Sequence, residues 1–375
     1  MTQLARALHI SGSKHPRPAA ARVIFCDGGV DDTYRVGVDL ELSHWIPNAT
    51  PPQFKASTST EICLRFAATP EAHDYELVVN NHVDVDGVLS TFALLYPDVA
   101  LRHAGVLVQA AEIGDFWAWG ERDAQHLFQA LACLITSLRE LAVDPLEIYT
   151  ACHARAHIAL SGARFEDCLD GLAALHETVR SIETGAIARI PIAEHVVHYA
   201  IPRALATRDL AAALRVPEFC APLSRATLLS PYARAKHDYQ RMQLVSVATS
   251  GGHHYDLWYP GYTWAETIDW WRAPGVTSTG SSNTHDLRSP ALDELAAELT
   301  RLETADGRWT LARRLTPFAT LAGRGYPVVL SFLRDNAPVP SAVRPEAIAS
   351  RLASAFSARQ PTRRATPRTS PRSTR

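Results

Sequence analysis

Short apolar runs closed by glycine, proline or aspartate dominate the first third of the chain, and they read as strands. Residues 22–26 (RVIFC) form one such run, ended by Asp27-Gly28-Gly29. Residues 34–40 alternate as a second strand would. Residues 75–80 (YELVVN) are almost continuously apolar, the pattern of a strand buried on both faces. Residues 105–113 predict a further strand, ending at Gly114-Asp115. Helix signals fall between these runs. Ser57-Thr58-Ser59-Thr60-Glu61 opens a helix, because Ser or Thr followed by Glu caps free N–H groups. Residues 88–95 are helix-like and 122–141 are amphipathic. This alternation predicts an α/β fold, a parallel sheet flanked by helices.

Further along, residues 164–214 read as mostly helical. From Met242 the texture changes: residues 243–248, 255–259 and 326–332 are strand-like, while 293–302 and 345–356 are helical. At roughly 100–200 residues per domain, 375 residues suggest two domains. The expected division is a flexible N-terminus at 1–17, an α/β domain at 18–232, a smaller α+β domain at 233–357, and a disordered basic tail at 358–375.

Composition narrows the class. Hydrophobic residues at 47% and charged residues at 20% rule out global disorder. No run approaches the roughly 18 apolar residues of a membrane span. The first residues lack the apolar core of a secretion signal, so a cytoplasmic protein without membrane contact is expected. The net charge of −2 hides an asymmetry, since the segment from Arg359 onward carries six arginines and no acid. The body is therefore acidic, which argues against a broad nucleic-acid-binding face. The tail is a route to nucleic acid or an acidic partner, with a solubilising role as the simpler reading. Only Lys14, Lys55 and Lys236 are lysines, and none follows a glycine-rich loop, which excludes a P-loop. The six cysteines include no CxxC pair and read as small buried hydrophobes.

The strongest chemical signal is His82-x-Asp84-x-Asp86-Gly87, directly after the strand at 75–80. Alternate residues of an extended segment share a face, so the three side chains can point to one spot. The C-terminal edge of a parallel sheet is where such folds place ligand sites. Mixed imidazole and carboxylate ligation suits a hard divalent cation such as Mn²⁺, with Mg²⁺ also compatible. Gly87 allows a sharp turn into the next helix. The bland alternative is a helix cap and a solvated loop.

The stretch LVVNNHVDVDGVLS, from Leu77 to Ser90, resembles motif I of the DHH phosphoesterase superfamily. That superfamily includes RecJ-like nucleases, nanoRNases, cyclic-dinucleotide phosphodiesterases and family II pyrophosphatases. The resemblance implies that His82 and Asp84 bind one Mn²⁺ and Asp86 a second. It implies hydrolysis of a phosphoester or phosphoanhydride in a small phosphorylated or nucleotide substrate by a two-metal mechanism. Asp115 is the match for the superfamily's second motif, an aspartate ending the next parallel strand, with an N-cap as its alternative. The Asp-His-His triplet is absent; the only adjacent histidines are His253-His254, and His153 and His157 are spaced to share a helix face.

Two more residues are candidates for the same site. Asp27 ends a strand in FCDGG and is a candidate metal ligand, with a turn role as the alternative. His44, in the loop SHWIPN, is a candidate substrate or acid/base group beside Asp86 and Asp115. Trp117, Trp119, Trp258, Trp264, Trp270 and Trp271 are stacking or packing residues, and Arg272, Arg313, Arg314 and Arg324 are candidates to grip a phosphate. Two other functions compete: a non-catalytic module that binds a nucleotide or metal, and a DxD-type metal-dependent glycosyltransferase. An EF-hand is not expected, because the closing glutamate of its twelve-residue loop is missing.

Overall fold

The computed structural model describes residues 6–206, 209–259, 264–266, 277–279, 285–312, 314–315 and 320–357. The expected tail, Trp270, Trp271, Arg272 and Arg313 lie outside these residues.

The fold is mixed α/β, and among the described residues two large sheets stand beside two small ones. The first is a four-stranded parallel sheet of β1 (Ala7–Ile10), β2 (Val23–Cys26), β3 (Leu40–Leu42) and β4 (Leu77–Asn80), in the order β1-β4-β2-β3. Its central strands are buried along their whole length, because both faces are covered, and are apolar but for Asn80 at the end of β4. Ile24, Cys26 and Val78 join the main core, whereas Val23, Phe25, Leu77 and Val79 form a small cluster with Tyr34. The helical layer comprises α1 (Ser59–Ala67), α2 (Val85–Leu95), α3 (Pro97–Arg102), α4 (Ala104–Phe116), α5 (Arg122–Glu140), α6 (Pro145–Leu160) and α7 (Glu166–Glu183).

The second sheet is mixed. Strands Arg308–Leu311 and Val328–Arg334 lead to β8 (Gly252–Trp258), β7 (Met242–Thr249), β6 (Val196–Ile201) and β5 (Ala188–Ala193), with only β6 and β7 pairing in parallel. Helices Pro290–Leu302 and Pro345–Ser357 accompany it. The helical layer meets the second sheet at Trp117, just after α4, whose ring contacts Phe219, Trp258 and Tyr326.

The pattern reading needs four corrections. Residues 7–10, inside the segment expected to be flexible, pair with β4. Residues 34–39 form turns instead of a strand: Val36 is 87% exposed, and the Arg35 backbone and guanidinium both bind the Asp39 carboxylate. Residues 105–113 belong to helix α4, whose Leu107, Ala110, Ala111 and Ile113 are buried; the fourth strand of the sheet is β1 instead. The second sheet already begins at Ala188, so a boundary at 232/233 cuts it between β6 and β7.

Candidate metal centre

Three strands of the parallel sheet end at one place. Asp27 follows β2, His44 follows β3, and His82, Asp84 and Asp86 follow β4. This is the carboxyl edge where open parallel sheets collect ligands. Asp115 joins them from the last turn of α4. All six candidate site residues therefore converge, although Asp115 arrives on a helix and not on a strand.

Local structure fixes each side chain. Asp27 adopts a left-handed backbone, φ 52°, which aspartate tolerates better than most residues. Its Oδ1 accepts from Trp45 Nε1 at 3.1 Å and from the Ser59 hydroxyl at 2.9 Å. Asp84 is the N-cap of α2, its Oδ1 accepting from the Gly87 amide at 2.7 Å. Its other oxygen lies 2.9 Å from His82 Nε2, so capping and cluster membership coexist. Asp86 is held by the N-terminus of α1, where the Ser59 and Thr60 amides each donate to its carboxylate at 2.8 Å. Thr58 caps that helix by accepting from the Glu61 amide. The His82 amide donates to Asn80 Oδ1, and Tyr149 donates its hydroxyl proton to the His82 carbonyl at 2.8 Å.

Gly87 has a role other than the sharp turn expected of it. A Cβ there would stand 2.6 Å from Tyr149 Oη, 2.8 Å from Asn80 Nδ2 and 3.0 Å from Asp27 Oδ2. Its lack of a side chain leaves room for the Asp27 carboxylate.

His44 sits at the centre. Its Nδ1 is 2.7 Å from the Ser57 carbonyl, and a carbonyl only accepts, so Nδ1 carries the proton. In the neutral ring Nε2 offers a lone pair to the cluster. It lies 3.3 Å from Asp115 Oδ2, 3.6 Å from Asp86 Oδ2 and 3.7 Å from Asp27 Oδ1, without a hydrogen bond to any of them. Asp27 Oδ2 faces His82 Nε2 at 3.1 Å and pairs with that imidazole when the ring is protonated. Trp264 and Phe116 flank the His44 ring edge-to-face, and Trp45 flanks His82. Only His82 reaches solvent appreciably, with 27% of its side chain exposed.

The electrostatics are unbalanced. Four buried carboxylates face two imidazoles, and among the described residues no lysine or arginine makes an ion pair with any of the four. Burial and then Asp27 push the Asp86 carboxyl up to about 6. Burial, followed by Asp86, Asp84 and Asp27, holds Asp115 well above the usual range. Burial opposes the charged form of His82, but Asp84 and Asp27 outweigh it and raise its pKa. Burial also disfavours ionised Asp27, yet His82 more than compensates and lowers it. Isolated charge at this depth is costly unless neutralised.

The donor set fits metal ions. Asp27, His82 and Asp84 place ligand atoms within 4.8 Å of one another, as do Asp27, His44 and Asp86. A histidine whose second nitrogen is bound by a backbone carbonyl is the usual metal-ligand arrangement. A third group, Asp84, Asp115 and Cys220, was not legible in the sequence, where Cys220 in PEFCAP carries no spacing signal. Ser59 and Trp45, which hold Asp27, neighbour features that were visible: the STST helix start and His44.

Other candidates lie elsewhere. His153, on α6, is buried against Thr91 Oγ1 at 2.9 Å, and His157 packs on Phe92 and Tyr96. His253 and His254 are on β8 in the second sheet. Arg324 is committed to a buried ion pair with Asp256 and also donates to the Leu214 carbonyl, so it is not available to grip a phosphate. The Trp119 ring stacks beneath Lys236, and Arg234 lies over Trp258. No described helix is long and apolar enough to cross a membrane.

Comparison with curated proteins and with solved structures gives no significant match. Residues 15–366 match the model of a protein family of unknown function, DUF6687, and the chain belongs to that family.

Proposed function

We propose that the chain is a divalent-metal-dependent phosphoesterase acting on a small phosphorylated or nucleotide substrate. The observation that carries this reading is the convergence of Asp27, Asp84, Asp86, Asp115, His44 and His82 with no lysine or arginine paired to the four carboxylates among the described residues, His44 Nε2 being buried without a hydrogen bond. The resemblance of HVDVDG to DHH motif I adds to it. Asp27, His82 and Asp84 would hold one ion, and Asp27, His44 and Asp86 a second, with Mn²⁺ suited to these hard ligands. Bound ions supply Lewis-acid polarisation of a phosphoryl oxygen and activation of water.

The chain's own residues do the rest. Ser59, Thr60, Trp45 and Gly87 lock the carboxylates by hydrogen bonds before any substrate arrives. His44, fixed by the Ser57 carbonyl, keeps its lone pair aimed inward. Trp45, Trp264 and Phe116 exclude water from that side, which leaves the His82 side for substrate approach.

The test is metal-dependent hydrolysis of an aryl phosphodiester, pyrophosphate and a dinucleotide, with Asp84→Asn and Asp86→Asn as controls. Turnover that needs Mn²⁺ and disappears in both controls is expected. Turnover that persists in both overturns the assignment.

A second reading, a binding module without turnover, is favoured by one observation. Of the four arginines proposed for the phosphate, the one whose side chain is described is already paired with Asp256. Metal uptake without hydrolysis of any panel member would support it. Hydrolysis of a nucleotide-sugar diphosphate, with the phosphodiesters untouched, would point to the glycosyltransferase reading.

A further inference from the structure

Cys220 is remote in sequence from the other members of the centre, in the connection between Leu214 and the helix at Pro231–Asp238. Its Sγ nevertheless lies 4.0 Å from Asp115 Oδ1. Asp84, Asp115 and Cys220 each place one ligand atom within 4.8 Å of the other two. Gly114 gives the thiol its room, since a Cβ there would stand 3.2 Å from Sγ. Opposite the thiol, the buried and unpartnered His44 Nε2 faces Asp115 Oδ2 at 3.3 Å. Asp115 is thus approached by a sulfur on one oxygen and an imidazole lone pair on the other.

Ligand softness separates this group from the two around Asp27. Carboxylate and imidazole alone suit Mn²⁺ and Mg²⁺, whereas a thiolate shifts preference toward Zn²⁺, Co²⁺ or Fe²⁺. We propose that Cys220 is a thiolate ligand and that Asp84, Asp115 and Cys220 form a softer half of the centre, selective for a zinc-like ion. The inference rests on the metal-centre reading above and deepens it. Ligation forms one sulfur–metal bond and releases the thiol proton to solvent, with no change of oxidation state. Asp84, which also faces His82, is the carboxylate common to the harder and softer halves.

The experiment uses the full chain loaded with Co²⁺ after chelator treatment. Wild type is expected to show near-ultraviolet sulfur-to-cobalt charge-transfer absorption beside the visible ligand-field bands. Cys220→Ser is expected to lose the charge-transfer band and keep ligand-field bands. Cys26→Ala and Cys63→Ala are expected to retain both. X-ray absorption of the Zn²⁺-loaded wild type should show a sulfur neighbour at about 2.3 Å. Ligand-field bands without charge transfer in the wild type, or a charge-transfer band that survives Cys220→Ser, overturns the role of Cys220 and leaves the metal centre standing. No cobalt uptake at all overturns the centre and this inference with it. Should Cys220→Ser fail to fold, alkylation mapping of the wild type replaces it. Zn²⁺ is expected to slow modification of the Cys220 peptide, and equal rates with and without Zn²⁺ would count against the ligand.

Discussion

His44 Nε2 stands 3.3 Å from Asp115 Oδ2 with no hydrogen bond between them, while Nδ1 of the same ring is spent on the Ser57 carbonyl. A lone pair facing a carboxylate is repulsive unless a cation lies between or a proton is added. An ion that binds the folded chain at 100 times its Kd stabilises it by about 2.7 kcal/mol. Mn²⁺ is therefore expected to raise the melting temperature of chelator-treated wild type, and His44→Ala to lose most of that increment. Differential scanning calorimetry with and without Mn²⁺ measures it. A full increment in the variant would remove His44 from the ligand set.

The pH dependence of the metal-free protein follows from Asp86. Its folded pKa, about 6, lies above the 3.8 of a free aspartate. A raised carboxyl contributes stability that is complete below pH 3.8 and is lost as pH rises through about 6. The shift corresponds to roughly 3 kcal/mol in magnitude. Buried neutral His153 and His198, both lowered to about 4, work in the opposite direction by losing stability on acidification below pH 6.5. The informative quantity is thus the difference between wild type and Asp86→Asn in chelator. Wild type should lose ground to the variant between pH 4 and 7, as read from denaturant midpoints. A constant difference over that window would show that Asp86 is ionised throughout.

Legibility in the sequence followed burial pattern. Strands β2 and β4 were visible because both faces are covered, which makes their apolar runs continuous, and the turns after them, with the candidate ligands Asp27 and His82 to Asp86, followed directly. Helix α4 failed for the same reason: AGVLVQAAEIGDF is buried around much of its circumference, so its period is hidden and it reads as a strand. Asp115 was still found, because a polar residue ending an apolar run is conspicuous on either element. Val36 and Val38 gave a false alternation; both are exposed, and the Arg35–Asp39 pair sets the turn. Strand β1 is only half-buried, with Ile10 alone fully inside, so it carries no apolar run, and its partner β4 lies far along the chain. Cys220 was invisible, since its place in the centre depends on a tertiary approach to Gly114 and Asp115.

Arg324 separates a structural charge from a substrate-binding one. Its guanidinium is buried against Asp256, and Ser331 donates to the same carboxylate at 2.6 Å. Removing one partner of a buried pair strands the other charge, at a cost of about 3–5 kcal/mol. Arg324→Met should destabilise the fold by that order, and adding Asp256→Asn should recover part of the loss. Urea denaturation of the single and double variants tests this. A stable Arg324→Met with an elevated KM would return Arg324 to the list of phosphate contacts.

Gly87 is where fold and centre compete for the same space. The missing Cβ leaves room for Tyr149 Oη, Asn80 Nδ2 and Asp27 Oδ2, all within 3.0 Å of where it would sit. Tyr149 cannot retreat without breaking its bond to the His82 carbonyl, and Asn80 holds the Cys26 carbonyl at 2.9 Å. Asp27 is tied by Trp45 and Ser59. Overpacking such a site costs typically 1–3 kcal/mol. Gly87→Ala should therefore lower stability by about that amount. It should also weaken Mn²⁺ binding by at least tenfold, because a shift of Asp27 disturbs both groups that share it. Gly105→Ala, at a helical glycine with open space around it, is the control: it should leave Mn²⁺ affinity unchanged and, if anything, raise stability by up to about 1 kcal/mol. Isothermal titration of Mn²⁺ into the two variants distinguishes them; unchanged affinity in Gly87→Ala would mean that Asp27 is not a shared ligand.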